Sequence, residues 1–415
     1  MKTETLRPGN QPGHVHAPAA SAIPWAAVIA GLCASFVGIG LARFAYSPLI
    51  PPLIEAQWFA PSDVVYLGAA NLAGYLAGAL LGRPLGRRFS NRGVLQLMMV
   101  ITSLAFFGCA FPLSSLWFFG WRFLSGVGGG IIMVLVAATV LPHVPAAKRG
   151  LGSGAIFVGA GMGVAASGTV VPLLLELGLR QTWIGLGVLS LILTAISWFG
   201  WPASAPAVPA PAAPANAQAT DERSVRDVAL KMLYAEYALM AVGLVPVMIF
   251  LVDYVARGLG QGAHVGAVYW VLYGLGAIVG PMAYGLLADR MQFGPALRVS
   301  LLLTAIVTAA CAASGNALVL GVASILLGTF PPGIAPLMLG RLHEMMPHDH
   351  AGQTLAWSRA TTAFALFQAL SAYMYSYLFS RSGGNHHLMF IIGAGAIALA
   401  LAIDAVKLRV IRVEA

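Results

Sequence analysis

Charged side chains are scarce in this sequence: Asp, Glu, Lys and Arg together make up 9% of 415 residues, where a soluble domain carries about 25%. That scarcity excludes an ordinary water-soluble globule. Cysteine is rarer still. Cys33, Cys109 and Cys311 all fall in apolar stretches without CxxC or paired spacing, which excludes a disulfide scaffold and leaves packing as their expected role. No phosphate-binding Gly-Lys-Ser/Thr loop is present, nor any soluble stretch large enough for an ATPase, so primary pumping would need a partner. His348-Asp349-His350 and His386-His387 read as solvated loop segments, and neither metal nor cofactor is expected.

What fills the chain is apolar: 59% hydrophobic residues and a mean hydropathy of +0.83. A helix needs about 20 apolar residues to cross a bilayer core of about 30 Å. Runs of that kind lie at 24–53, 63–84, 94–112, 115–141, 150–176 and 182–202, then at 229–256, 263–288, 295–314, 317–340, 352–380 and 386–407. The expected fold class is an all-α membrane protein with twelve transmembrane helices. The first 23 residues are polar and rich in Pro and His, so the first span is a retained helix and not a cleaved signal peptide. Of the 23 Lys and Arg residues, seventeen fall on the side of the N-terminus, three (Arg180, Arg257, Arg381) on the other side and three within spans. The positive-inside rule then puts both termini in the cytoplasm, and the expected location is a bacterial inner membrane. The net charge of +9 reports topology, and no nucleic-acid partner is expected.

Residues 203–228 are rich in Ala and Pro and read as a cytoplasmic linker. It divides an N-terminal half, 24–202, from a C-terminal half, 229–407, with a disordered start at 1–23 and a tail at 408–415. An ungapped shift of 202 aligns Gly74 with Gly276, Gly78 with Gly280, Arg88 with Arg290, Cys109 with Cys311 and Gly126 with Gly328. Two parallel six-helix repeats follow, an arrangement that puts a binding site at mid-membrane between them.

After span eight, Gly285-Leu-Leu-Ala-Asp289-Arg290 gives a GxxxDR string, and span four holds Arg122 followed by Gly126, Gly128 and Gly130. Over the whole chain the sequence resembles the major facilitator superfamily. The string GxGxxRFxYxPLxPxL, from Gly38 through Arg43, Tyr46 and Pro48 to Leu53, is similar to its YbfB/YjiJ-like subgroup. The resemblance implies a central cavity bordered by spans one, four, seven and ten. It also implies a cytoplasmic gate in which Gly285 lets a helix approach while Asp289 and Arg290 pair across a helix end. The N-terminal copy departs from the pattern: Arg87 stands where Asp289 aligns, so the latch comes either from the second half or from helix-end carbonyls accepting from Arg87 or Arg88. The other reading is that these arginines set topology alone.

Three arginines, Arg43, Arg122 and Arg359, lie inside spans, where a cation costs roughly 2.5–3.5 kcal/mol. At about 1.5 Å per residue, Arg43 and Arg122 share the outer half of the membrane, while Glu236 and Arg359 lie near the cytoplasmic face on spans that the resemblance makes neighbours. Two polar layers are therefore expected. Arg43 and Arg122 clamp an anion with help from Tyr46 and Ser47, the alternative being snorkelling or capping of carbonyls. Glu236, paired with Arg359, takes the coupling proton, the alternative being a permanent ion pair. Tyr269, Trp270, Tyr273 and Trp357 offer a stacking wall, and Asn71 and Gln368 are further polar groups at depth.

The function expected is secondary active transport of a small organic, anionic solute by alternating access, driven by protons, by a monomer in the bilayer. Export of amphipathic drugs or metabolites is the alternative within that class. Outside it stand a nontransporting sensor and a membrane-embedded enzyme built on Arg341, His343, Glu344, His348 and Asp349.

Overall fold

A computed structural model describes residues 23–145, 148–202, 220–347 and 349–413. They form twelve long helices: α1 (Trp25–Glu55, with breaks), α2 (Pro61–Arg88), α3 (Asn91–Cys109), α4 (Ser115–Val140), α5 (Arg149–Leu175), α6 (Leu179–Ser197), α7 (Thr220–Asp253), α8 (Gly262–Met291), α9 (Phe293–Ala313), α10 (Ala317–Met345), α11 (His350–Arg381) and α12 (His386–Val413). Eleven are long and apolar enough to cross a membrane. The twelfth, α11, is long enough but more polar, because it carries Ser, Thr, Gln and Arg359 along its first half. Helix α7 begins at Thr220, inside the segment expected as linker, and α12 continues past residue 407. Residues 1–22 and 203–219 lie outside the described residues.

Twelve is an even number, so α1 starts and α12 ends on one face, here called the terminal face; the other is the distal face. Within the first six helices α2 runs along α4, and within the last six α8 runs along α10. Glycine dictates both contacts. A Cβ on Gly74 would overlap the carbonyl oxygen of Phe123, and one on Gly276 that of Ile325. Gly78 stands likewise against Val127 and Gly280 against Thr329; Gly126 meets Asn71, and Gly328 meets Tyr273. Each pair is related to its counterpart by the shift of 202 seen in the sequence. The repeat therefore survives as backbone-to-backbone packing, the mode that favours small residues where lipid gives no hydrophobic drive between helices.

The two sets of six meet through α5 against α8, α2 against α11 and α1 against α7. Hydrogen bonds and ring pairs join them at mid-depth and on the distal side. Trp270 Nε1 donates to Ser167 Oγ at 3.0 Å, Phe44 packs on Trp270, Tyr66 faces Tyr373, and the Ser47 hydroxyl donates to the Met248 carbonyl. These contacts hold the two sets together on the distal side.

The GxxxDR expectation is corrected in one respect. Among the described residues nothing stands within 4 Å of a Cβ placed on Gly285, so none of the described helices approaches it in this conformation. Gly126→Val and Gly328→Val are therefore expected to destabilise by about 1–3 kcal/mol or more through overpacking, while Gly285→Ala leaves the thermal midpoint of the detergent-solubilised protein unchanged; thermal unfolding of the three variants checks the contrast.

Candidate solute-binding site

Helix α1 is broken where it matters. A π-helical turn over Phe36–Leu41 holds Gly38 and Gly40, and Pro48, Pro51 and Pro52 lack the N–H that a regular helix needs. Gly40 meets Gly163 of α5 backbone to backbone, which fixes the position of the turn. At its exit the Ala42 carbonyl accepts from Arg122 Nη1 at 2.8 Å and from Asn71 Nδ2 at 3.2 Å. Asn71 also donates to Ser125 Oγ at 2.9 Å, so α1, α2 and α4 are tied at one point.

Arg122 is 3% exposed, and its guanidinium lies over the Tyr46 ring at 4.3 Å. Tyr46 in turn donates its hydroxyl to the Val64 carbonyl at 2.7 Å. The clamp expected from the sequence is therefore split. Arg43, Tyr46, Ser47 and Arg122 do line one void with Asn71 and Met248, but it measures ≈ 20 Å³, room for about one water. Arg122 caps a carbonyl, and Tyr46 and Ser47 spend their hydroxyls on backbone oxygens. Asn71, expected only as a polar group at depth, is the hub of this network.

Arg43 differs. It stands one residue past the anchored carbonyl and turns toward the facing helices: its Nη2 reaches only the Met248 sulfur, at 3.8 Å, and its Nε has no partner. The Tyr75 ring lies 5.1 Å from its guanidinium carbon and the Phe44 ring 5.4 Å, with Tyr273 within electrostatic reach. Across the same sulfur sits Gln368, 2% exposed, whose Nε2 is 3.8 Å from Met248 Sδ. Gln368 Oε1 and the Tyr273 hydroxyl are buried without partners. No carboxylate among the described residues pairs with Arg43 or Arg122. Of the expected wall, Trp270 and Tyr273 stack at 4.8 Å beside Phe44, and Trp357 stacks on Tyr237. Tyr269 instead donates to the Ala317 carbonyl. Tyr75 and Met248 were not picked out by sequence reasoning, and only their helix faces could have signalled them.

The pairing of Glu236 with Arg359 is overturned. Glu236 Oε1 accepts from Lys407 Nζ at 2.6 Å, Lys407 also meets Asp404 at 2.8 Å, and Asp404 binds Arg298 at 2.7 Å. Glu236, Asp404 and Lys407 are fully buried. Arg359 is exposed and reaches the Tyr234 hydroxyl instead. Lys407 was counted as a topology charge because it ends an apolar run; burial against α7 was not readable from that position. A second buried acid was missed outright: Asp253 accepts from Arg257 Nε at 2.5 Å and Nη2 at 2.6 Å and pairs with His386 Nε2 at 2.7 Å. His386 is thus no solvated loop histidine; with Arg257 it borders a distal cavity of ≈ 730 Å³.

Asp289, Arg290, Arg87 and Arg88 are exposed at the terminal ends of α8 and α2, and no ion pair among the described residues joins them. In the last turns of α10, Arg341 pairs with Glu344 at 2.8 Å, and Glu344 caps α9 through the Phe293 N–H, a structural task. Lys407→Ala, which strands Glu236 and Asp404, is expected to cost about 3–5 kcal/mol, whereas Arg359→Ala leaves the melting temperature unchanged; the reverse ranking in thermal unfolding would restore Arg359 as the partner.

Comparison with known proteins agrees with this architecture. Residues 35–405 match the family model described as uncharacterised MFS-type transporter YbfB. Among solved structures, the crystal structure of a D-xylose-proton symporter superposes with a TM-score of 0.69 at 16% identity, covering 92% of this chain and 96% of that one. A partially occluded inward-open conformation of the xylose transporter XylE from E. coli gives 0.67 at 14% identity, covering 92% and 95%. At such identities the likeness is one of fold. No curated protein matches the sequence. The match over most of its length makes this chain a member of the YbfB-type family of the major facilitator superfamily, a multi-pass membrane transporter and not an enzyme.

Proposed function

We propose that this secondary transporter moves a small organic anion by alternating access, that protons drive it, and that Arg43 is the group that holds the anion. One observation carries the reading: Arg43 lies between the two sets of helices with an unpartnered, buried Nε and, among the described residues, no protein counter-ion. A half-buried cation at membrane depth is costly, and a carboxylate from solution, taken bidentately, would compensate it. Arg122 supports the site from behind by fixing Ala42.

In this reading the terminal face is cytoplasmic, following the distribution of Lys and Arg, the membrane is a bacterial inner membrane, and the protein works as a monomer. The contacts on the distal side then close the outside, and solute exchanges with the cytoplasm. Arg87, Arg88, Asp289 and Arg290 form their latch in the opposite, outward-open state, when α2 and α8 come together with their neighbours. Proton drive draws support from the shared fold with a protein named a proton symporter. Its titrating acid in this chain is Glu236, with Lys407 in place of Arg359 as counter-ion.

Uptake into proteoliposomes tests this. A mixture of radiolabelled carboxylates is expected to accumulate when a pH gradient is imposed, at least tenfold less so in Arg43→Ala. Extrusion of cationic dyes with no carboxylate uptake contradicts the reading and favours the drug exporter. Glu236→Gln is expected to keep solute counterflow yet lose accumulation; if accumulation persists, Glu236 is a structural member of its network.

A further inference from the structure

Resting on the anion reading, the surroundings of Arg43 define the solute more narrowly. We infer that it is a flat aromatic monocarboxylate bearing at least one O–H or N–H donor. Three features carry this.

The walls beside the guanidinium are rings. Tyr75 and Phe44 flank it, and Trp270 and Tyr273 form a parallel slab, 3° between planes, next to Phe44 at 6.1 and 6.4 Å. The Trp270 indole is held by Ser167, so its orientation is fixed, while both rings are buried here and meet solute only when the two sets of helices part. Tyr237, in electrostatic reach of Tyr75, continues the lining with Phe364 at 4.5 Å. Offset stacking on such faces, once exposed, rewards an aromatic body over a flexible chain.

The charge available is single. Arg122 already donates to Ala42 and lies against Tyr46, and Lys407 belongs to the Glu236 network. One free guanidinium suits one carboxylate, and a second carboxylate would be buried unpaired.

The far end of the site asks for a donor. The Met248 sulfur is a weak acceptor only, so the Gln368 amide nitrogen belongs on its side, and Oε1 is the end left without a partner. Arg43 and Gln368 each lie 3.8 Å from the same Met248 sulfur, so the charge and the unpartnered amide oxygen belong to one site. A solute O–H or N–H on the edge opposite the carboxylate would satisfy Oε1.

Ligand-dependent thermal stabilisation of the purified protein tests the inference. The probes are a para-hydroxylated aromatic carboxylate, the same ring without the hydroxyl, an aliphatic monocarboxylate and a dicarboxylate of matching size, and a phenol. The hydroxylated aromatic carboxylate is expected to bind best, about tenfold tighter than its unsubstituted parent. Gln368→Leu is expected to erase that tenfold preference and leave the parent compound's affinity unchanged; Tyr273→Leu weakens both aromatic compounds and spares the aliphatic acid. If Gln368→Leu fails to fold, the ranking on the wild-type protein still decides. Equal or tighter binding of the aliphatic acids overturns this inference and leaves the anion reading intact. Phenol binding as tight as the carboxylates, or full carboxylate binding in Arg43→Gln, brings down both.

Discussion

Arg122 Nη1 on the Ala42 carbonyl, shared with Asn71, is the contact on which the site depends. A helix that crosses the membrane without a break keeps its carbonyls for itself; α1 is broken by its π-helical turn and prolines, and the carbonyl at the break is held from α4 and α2 together. That hold sets the rotation of the next residue. Arg43 consequently lies at the interface with α7 and α8, between the Tyr75 and Phe44 rings of its own set and the Met248 sulfur, and meets rings and a sulfur in place of an acid.

The two sets of helices share their packing but divide their chemistry. At the shift of 202, the glycines of α2 and α4 recur in α8 and α10 at the same backbone contacts. The polar groups do not recur: Asn71 corresponds to Tyr273, Arg122 to Ser324 and Arg43 to Val245. One side brings positive charge to the interface and the other brings aromatic surface. Buried ion networks in the second set, around Glu236 and Asp253, tie α12 to α7 from behind. They keep α7 in place while its Met248 carbonyl receives Ser47 from across the interface. Transport then requires that this interface open without disturbing the anchors on either side.

Most of the fold was legible because lipid imposes a simple rule: apolar length gives spans, and small residues give close contacts. The helix count, the repeat and its register all followed from those two. Side-chain partners were less legible, since depth alone does not say which way a helix face turns. Glu236 and Arg359 are at similar depth on packed helices and still do not meet, because Lys407 on α12 reaches Glu236 first. Asp253 was overlooked because it lies close to the end of an apolar run, where an acid reads as solvated. Arg43 and Arg122 looked equivalent in the sequence; only the break in α1 separates the one that holds backbone from the one left free.

The central claim is that Arg43 is a half-buried cation whose counter-ion is the solute. A cryo-electron microscopy structure with a bound, stabilising carboxylate tests it most directly. The account predicts the carboxylate oxygens within hydrogen-bonding distance, about 2.7–2.9 Å, of the Arg43 guanidinium, with Arg122 still on Ala42. A ligand seated away from Arg43, or a protein carboxylate found paired with it in that state, would contradict the account.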